Sequence, residues 1–129
     1  MKRTYYGGRK PEELQIADDA LTMRIRLDIQ AEQQEVANGE TTETQTQYSA
    51  LEIMISAPFT ENKLIKQLFA DMYGNDHENK LINEYNSATI GLYSEPEKSE
   101  KIAKYHSFLV ERATLKAEIE RICTSNNIS

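Results

Sequence analysis

The side chains able to do chemistry are few and scattered. His77 and His106 are the only imidazoles, and neither has a second ligand-type residue at i+3 or i+4. Cys123 stands alone, with no neighbour at a zinc-site spacing. Asp71, Asp76 and Glu78 form an acidic knot, but they lack the alternating oxygen ligands of a calcium loop, and Gly74 is out of place for one. Tyr6-Gly7-Gly8-Arg9 precedes no strand-to-helix turn, as a phosphate loop must, and no serine lies in a Gly-x-Ser-x-Gly elbow. His106 and Cys123 fall seventeen residues apart on one expected helix, about 25 Å along its axis, so they cannot meet within one chain. Asp18-Asp19 fits a solvated face or an element end. The expectation is therefore a non-enzymatic chain with no catalytic, cofactor-binding or metal-ligating residues.

Composition narrows the class. The chain has 129 residues, 39% hydrophobic and 28% charged, which suits one domain with a modest core. Lys2, Arg3, Arg9 and Lys10 give the first ten residues a charge of +4, which leaves −10 on the rest of a chain whose net charge is −6. An acidic body repels phosphate backbones, because nucleic-acid binding draws on counterion release by cations. With one cysteine there is no internal disulfide, as suits a reducing compartment. No apolar run approaches the roughly 18 residues of a membrane span, and the basic N-terminus lacks the apolar stretch of a signal peptide. A cytoplasmic protein without membrane contact is expected.

The elements follow from periodicity and punctuation. Residues 1–10 read as a flexible basic arm, either frayed or docking through Tyr5 and Tyr6. Residues 11–124 form a single domain, and 125–129 a flexible tail. Pro11-Glu12-Glu13 suggests a short helix over 11–18. Leu21, Met23, Ile25, Leu27, Ile29 and Ala31 then alternate with polar residues, the period of a strand with one buried face. Helix propensity offers a rival reading, since 12–37 is rich in Glu, Gln, Leu and Ala and free of Gly. Asn38-Gly39 signals a hairpin, and Thr41 to Gln47 reads as a solvated strand. Leu51, Ile53, Ile55 and Ala57 alternate next. Matching the apolar faces makes paired positions sum to 78, so that Met23 faces Ile55, Ile25 faces Ile53, Leu27 faces Leu51 and Arg26 faces Glu52. A two-residue Asn-Gly turn demands 77, so a longer loop or a bulge near the tip is expected. The polar arms beyond the core should project as a β-ribbon.

About three C-terminal helices follow. Thr60 caps the first, which carries Leu64, Ile65, Leu68, Phe69 and Met72, and Gly74 stops it. Asn75 or Asp76 caps a second, with Leu81, Ile82 and Tyr85. Asn86 to Tyr93 is open between strand and helix. Ser94-Glu95-Pro96-Glu97 opens the longest helix, to about Ile122. Arg112 falls within its apolar stripe, either as a stem lying over the core or as a partner for an acid across a groove. The fold class is α+β: a long antiparallel β-hairpin on about three C-terminal α-helices, with a short N-terminal helix.

Residues 48–122, running from YSALEIMISAPFTENKLIKQLF through INEY to YHSFLVERATLKAEIERI, resemble small accessory proteins encoded in the structural, tail-region gene sets of bacteriophages and prophages. The Trp-Arg usual in the last helix of that group is replaced here, with Phe108 and Arg112 nearest to it. The resemblance implies a non-catalytic part of a virion or of its assembly. The residues expected to contact protein partners, homo-oligomer copies or assembly neighbours, are Arg3, Tyr5, Tyr6, Arg9, Thr42, Thr44, Thr46 and Tyr48. An alternative is a small regulatory protein whose basic arm touches nucleic acid.

Overall fold

Strand alternation wins over helix propensity between residues 22 and 38. In the computed structural model, which describes residues 1–129 apart from the side chains of Asn38, Tyr73, Gly74 and Asn75, the elements run β1 (Thr4–Gly7), β2 (Leu14–Ile16), β3 (Thr22–Asn38), β4 (Thr41–Ser56), α1 (Glu61–Thr89) and α2 (Glu97–Ser125). The four strands form one antiparallel sheet in the order β1-β4-β3-β2. The fold is α+β, a long hairpin backed by C-terminal helices.

The core register is the one that apolar matching requires. Met23 pairs with Ile55, Ile25 with Ile53, Arg26 with Glu52 and Leu27 with Leu51. The inward side chains Met23, Ile25, Leu27, Leu51, Ile53 and Ile55 pack on Leu64, Leu68 and Met72 of α1 and on Leu115, Ile119, Ile122 and Cys123 of α2. Past Leu27 the register shifts by one, so that Gln30 pairs with Ser49 and Asn38 with Thr41. Asp28 and Ile29 thus oppose the single residue Ala50, a β-bulge at the root of the ribbon rather than near its tip. Gly39, at φ 66°, opens the two-residue connection, where positive φ suits glycine. The bulge also reverses parity along β3, which is why Ile29 and Ala31 leave the core face; Leu21, outside the ladder, is 60% exposed.

Several expectations are corrected. Residues 11–18 hold β2 and a turn rather than a short helix. One turn of helix fixes many dihedrals for few hydrogen bonds, whereas Leu14 and Ile16 here pair with Ile25 and Met23 on the edge of β3, and Leu14 packs against the core. The flexible arm contains a strand: Thr4 pairs with Ala50 and Tyr5 with Ser49. Among the described residues the C-terminal helical layer is made of α1 and α2. The stop expected at Gly74 and the cap expected at Asn75 fall on residues outside the described side chains, and α1 as an element is continuous from Glu61 to Thr89. Thr60 does cap it, its hydroxyl accepting from the Lys63 amide at 3.2 Å. Asn86–Thr89 is helical, and α2 opens at Glu97 as its acidic first turn suggests. In the 125–129 tail, Ile128 packs against the core and its amide donates to the Cys123 carbonyl at 2.9 Å.

Both helices outrun the sheet. The C-terminal end of α2 lies beside Leu14, Ile16 and Met23, while Glu118 accepts from the Asp28 amide at 3.0 Å. α2 therefore runs antiparallel to β3, and the unsupported halves of both helices leave the core on the ribbon's side. There they hold each other. Tyr85 stacks on Tyr105 at 4.6 Å, and Lys101 reaches Glu84 at 3.4 Å. Arg112 combines the two readings of it: its guanidinium lies over Phe69 and Phe108, 5.2 and 5.1 Å from their ring centres, and donates to Glu78 at 2.8 Å.

Ile53→Ala should lower unfolding stability by about 2–5 kcal/mol, the range for truncating a buried aliphatic side chain. Glu35→Ala on the exposed ribbon should stay within about 0.5 kcal/mol. Urea unfolding followed by circular dichroism measures both.

Candidate interaction surface

The surface of interest is built where the N-terminal segment meets the root of the hairpin. β1 lies on the outer edge of β4 and β2 on the outer edge of β3, so residues 8–13 must cross the hairpin between them. Helices cover one face, and the crossing takes the other. Arg26, on that second face, marks it by donating to the Glu12 carbonyl at 3.1 Å and to Gln15 Oε1 at 2.9 Å. Its Nε donates to the Tyr6 hydroxyl at 3.1 Å, and its guanidinium sits 5.0 Å from the Tyr6 ring centre. Only 6% of Arg26 is exposed, which is tolerable because three acceptors and a ring face replace water. The Tyr6 hydroxyl donates in turn to Glu52 at 2.6 Å, whose other oxygen meets Arg24 at 3.2 Å. Arg26 and Glu52 are opposite as the register requires, yet Tyr6 stands between them.

A second anchor fixes the bulge. Asp28 adopts φ 51°, a left-handed conformation that Asp accepts more readily than most residues. Arg3 donates to Asp28 Oδ2 and to the Ser49 hydroxyl, each at 2.9 Å, and also to both backbone carbonyls. Ser49 is fully buried. Glu118 binds the Asp28 amide from the α2 side.

These two networks sort the expected contact residues. Arg3 and Tyr6 turn inward and tie the chain to itself. Tyr5 and Arg9 are exposed. Thr42, Thr44, Thr46 and Tyr48 share one face of β4, Thr42 and Thr44 exposed and the other two half-buried at the root; Tyr5, opposite Ser49, belongs by register to the other face. Sequence reasoning missed Arg26 as a hub and Asp28 as the bulge. An alternating pattern marks an even-numbered Arg as solvent-facing, and nothing local announces a strap crossing above it.

Above the strap the ribbon is bare. Among the described residues, Ala31–Asn38 and Thr41–Gln47 pair only with each other, a two-stranded arm about 30 Å long at the usual rise per residue. Its side chains are almost all exposed. Val36 is its one large apolar residue, and an isolated two-stranded hairpin is marginally stable in water. No Lys or Arg occurs between Leu27 and Asn62 and no Pro between Leu27 and Pro58, while Glu32, Glu35, Glu40 and Glu43 lie on the arm. Lysine and proline are the usual guards of an exposed strand edge, and this edge has neither.

Chemistry elsewhere is sparse. Among the described residues no three His, Cys, Asp or Glu side chains are placed to hold a metal ion. Burial pushes the Cys123 thiol pKa up, and the Glu61 carboxylate adds to the rise, the opposite of activation. The Tyr6 hydroxyl pKa is raised above its ordinary 10.0, first by burial and then by its hydrogen bond to Glu52, with Arg26 opposing. The folded state thus holds that proton more tightly than the unfolded chain. This contribution is present below pH 10.0 and is lost as pH climbs through the raised folded value. Tyr6→Phe should cost about 1 kcal/mol at neutral pH through the lost hydrogen bonds. Its stability should then converge on wild type above the tyrosine range, in urea titrations of both proteins against pH.

Comparison with family models, with curated proteins and with solved structures returns no match for this chain.

Proposed function

We propose that this chain is a non-catalytic structural or assembly protein that acts through protein–protein contacts made by its ribbon. The observation that carries the reading is the ribbon itself: a long arm that pairs with no third strand among the described residues, with almost no apolar surface of its own and a root anchored by Arg3, Tyr6 and Arg26. A bare edge of this kind gains strands readily from another protein by main-chain hydrogen bonding. The resemblance of residues 48–122 to phage tail-region accessory proteins supports a place in a virion or its assembly, in the cytoplasm of the host cell. No described helix is long and apolar enough to cross a membrane. A nucleic-acid role for the N-terminus has less support, since Arg3 is engaged by Asp28 and Ser49, and the chain carries a net charge of −6.

Glu32 pairs with Gln47 across the ribbon, so residues 33–46 can be replaced by Asn-Gly without disturbing the core register. The shortened protein should fold with the wild-type circular dichroism spectrum. Light scattering should show wild type heavier than its 14.8 kDa chain and the shortened protein at monomer mass. A shortened protein that keeps the wild-type assembly mass would remove the ribbon from the mechanism.

A further inference from the structure

We infer that the ribbon docks on a second copy of this chain, its β3 edge adding to the outer edge of the partner's β4 beyond Ala50, beside α1. The inference rests on the assembly reading and adds to it an occupant and a receiving groove.

The groove begins where the pairing of β1 ends. β1 pairs with β4 as far as Ala50, and among the described residues no strand lies against Leu51–Ser56 on that side. The Arg26 amide donates outward to the Glu13 carbonyl, so Arg26 and, by alternation, Arg24 turn their backbone groups away from β4. Their partners Glu52 and Met54 then turn theirs to the opposite edge. The Ser56 carbonyl points there too, where it accepts from the Lys63 ammonium. α1 runs alongside and makes the other wall. Two adjoining cavities of about 440 and 500 Å³ lie between strand and helix, with Met54 and Gln67 lining both. Lys63 and Lys66 line the Ser56 end. At the other end Glu52 already meets Arg24, and Asp71 accepts from Gln67 at 2.7 Å. An extended segment laid here gains main-chain hydrogen bonds from the strand and cations from the helix, as in strand addition generally.

Charge and reach select the ribbon of another copy. Ala31–Ala37 of β3 pair with β4 on one side and, among the described residues, with no strand on the other. This stretch carries Glu32 and Glu35 and no cation. Both acids are exposed, as is Lys66, and none of the three is in an ion pair among the described residues. Glu32 and Glu35 pair with Gln47 and Thr44, which lie roughly 24 and 34 Å along β4 from Met54 at the usual rise per residue. No lysine side chain spans that distance, so the acids of one chain meet the groove of another. Val36, 39% exposed, and Met54, 51% exposed, both lose water in the contact. The donating edge belongs to β3 and the receiving edge to β4, on opposite sides of the sheet. The contact is therefore heterologous. Each copy gives a ribbon and receives one, which builds a ring or an open filament according to the rotation between copies.

Charge reversal on each side of the contact tests it. K63E/K66E alters the groove and E32K/E35K the ribbon, all outside the core, so circular dichroism spectra should match wild type. K66E alone, at an exposed residue, acts in the same direction without touching the Lys63–Ser56 contact. By light scattering each double variant should need about tenfold or more protein to assemble than wild type, a difference that shrinks from about 0.05 M to about 0.5 M salt. Mixed together, the two double variants should assemble again, because the acidic ribbon of one fits the basic groove of the other, and the reverse. A single chain carrying all four changes should assemble as well. Double variants that assemble as readily as wild type, or a mixture no better than its parts, overturn this inference and leave the assembly reading to the shortened-ribbon experiment. A wild type that stays monomeric at high concentration overturns both.

Discussion

A single extra residue in β3 sets the form of this protein. The apolar faces of β3 and β4 meet only if paired positions sum to 78, while closure through Gly39 and Glu40 demands 79, and both hold because Asp28 and Ile29 together oppose Ala50. A one-residue slip turns every side chain of a strand to the other face, so where the shift occurs decides which residues are core and which are ribbon. Here it occurs at the last core pair. Below it Met23, Ile25 and Leu27 face the helices; beyond it the chain has almost nothing to bury, and the mismatch disturbs no packing. Arg3, itself bonded to Ser49, and Glu118 hold the bulge at Asp28, so the left-handed Asp28 is stabilised by tertiary partners.

The N-terminal strap follows from the same junction. Strands joined only by a hairpin would leave both edges of the core open, and the first sixteen residues close both, β1 against β4 and β2 against β3. The crossing between them is anchored by Arg26, whose guanidinium gathers Tyr6, Glu12 and Gln15. A hydrogen-bonded cation under a strap ties three sequence-distant segments together more directionally than apolar contact would. Its position also marks where protection ends. Past Gly8 no third strand pairs with the ribbon among the described residues.

The helices complete the asymmetry. The N-terminal half of α1 and the C-terminal half of α2 cover the sheet, and their remaining halves run out beside the ribbon, held by stacked rings and the Arg112–Glu78 pair. The ribbon residues on the helix-side face by register, among them Glu32, Gln34 and Gln45, stay exposed, so the two projections do not pack on one another. The body thus presents two unlike arms from one end of a single core.

The β3–β4 core register, the ribbon, the Thr60 cap and the start of α2 were legible in the sequence, because each depends on periodicity or on a side chain acting within a few residues. Alternation over residues 23–27 and 51–55 outweighed helix propensity for that reason, and the clash between core register and turn announced a bulge without locating it. Other features were decided only by the tertiary structure. Residues 4–7 and 14–16 became strands because distant edges offered their backbone groups partners, which no local pattern encodes. Arg3 and Tyr6 resembled free contact residues until Ser49, Asp28 and Glu52 were brought to them. Arg26 resembled a solvated side chain until the strap crossed over it. Local spacing fixes which face a residue takes; only the folded chain determines whether another segment already covers that face.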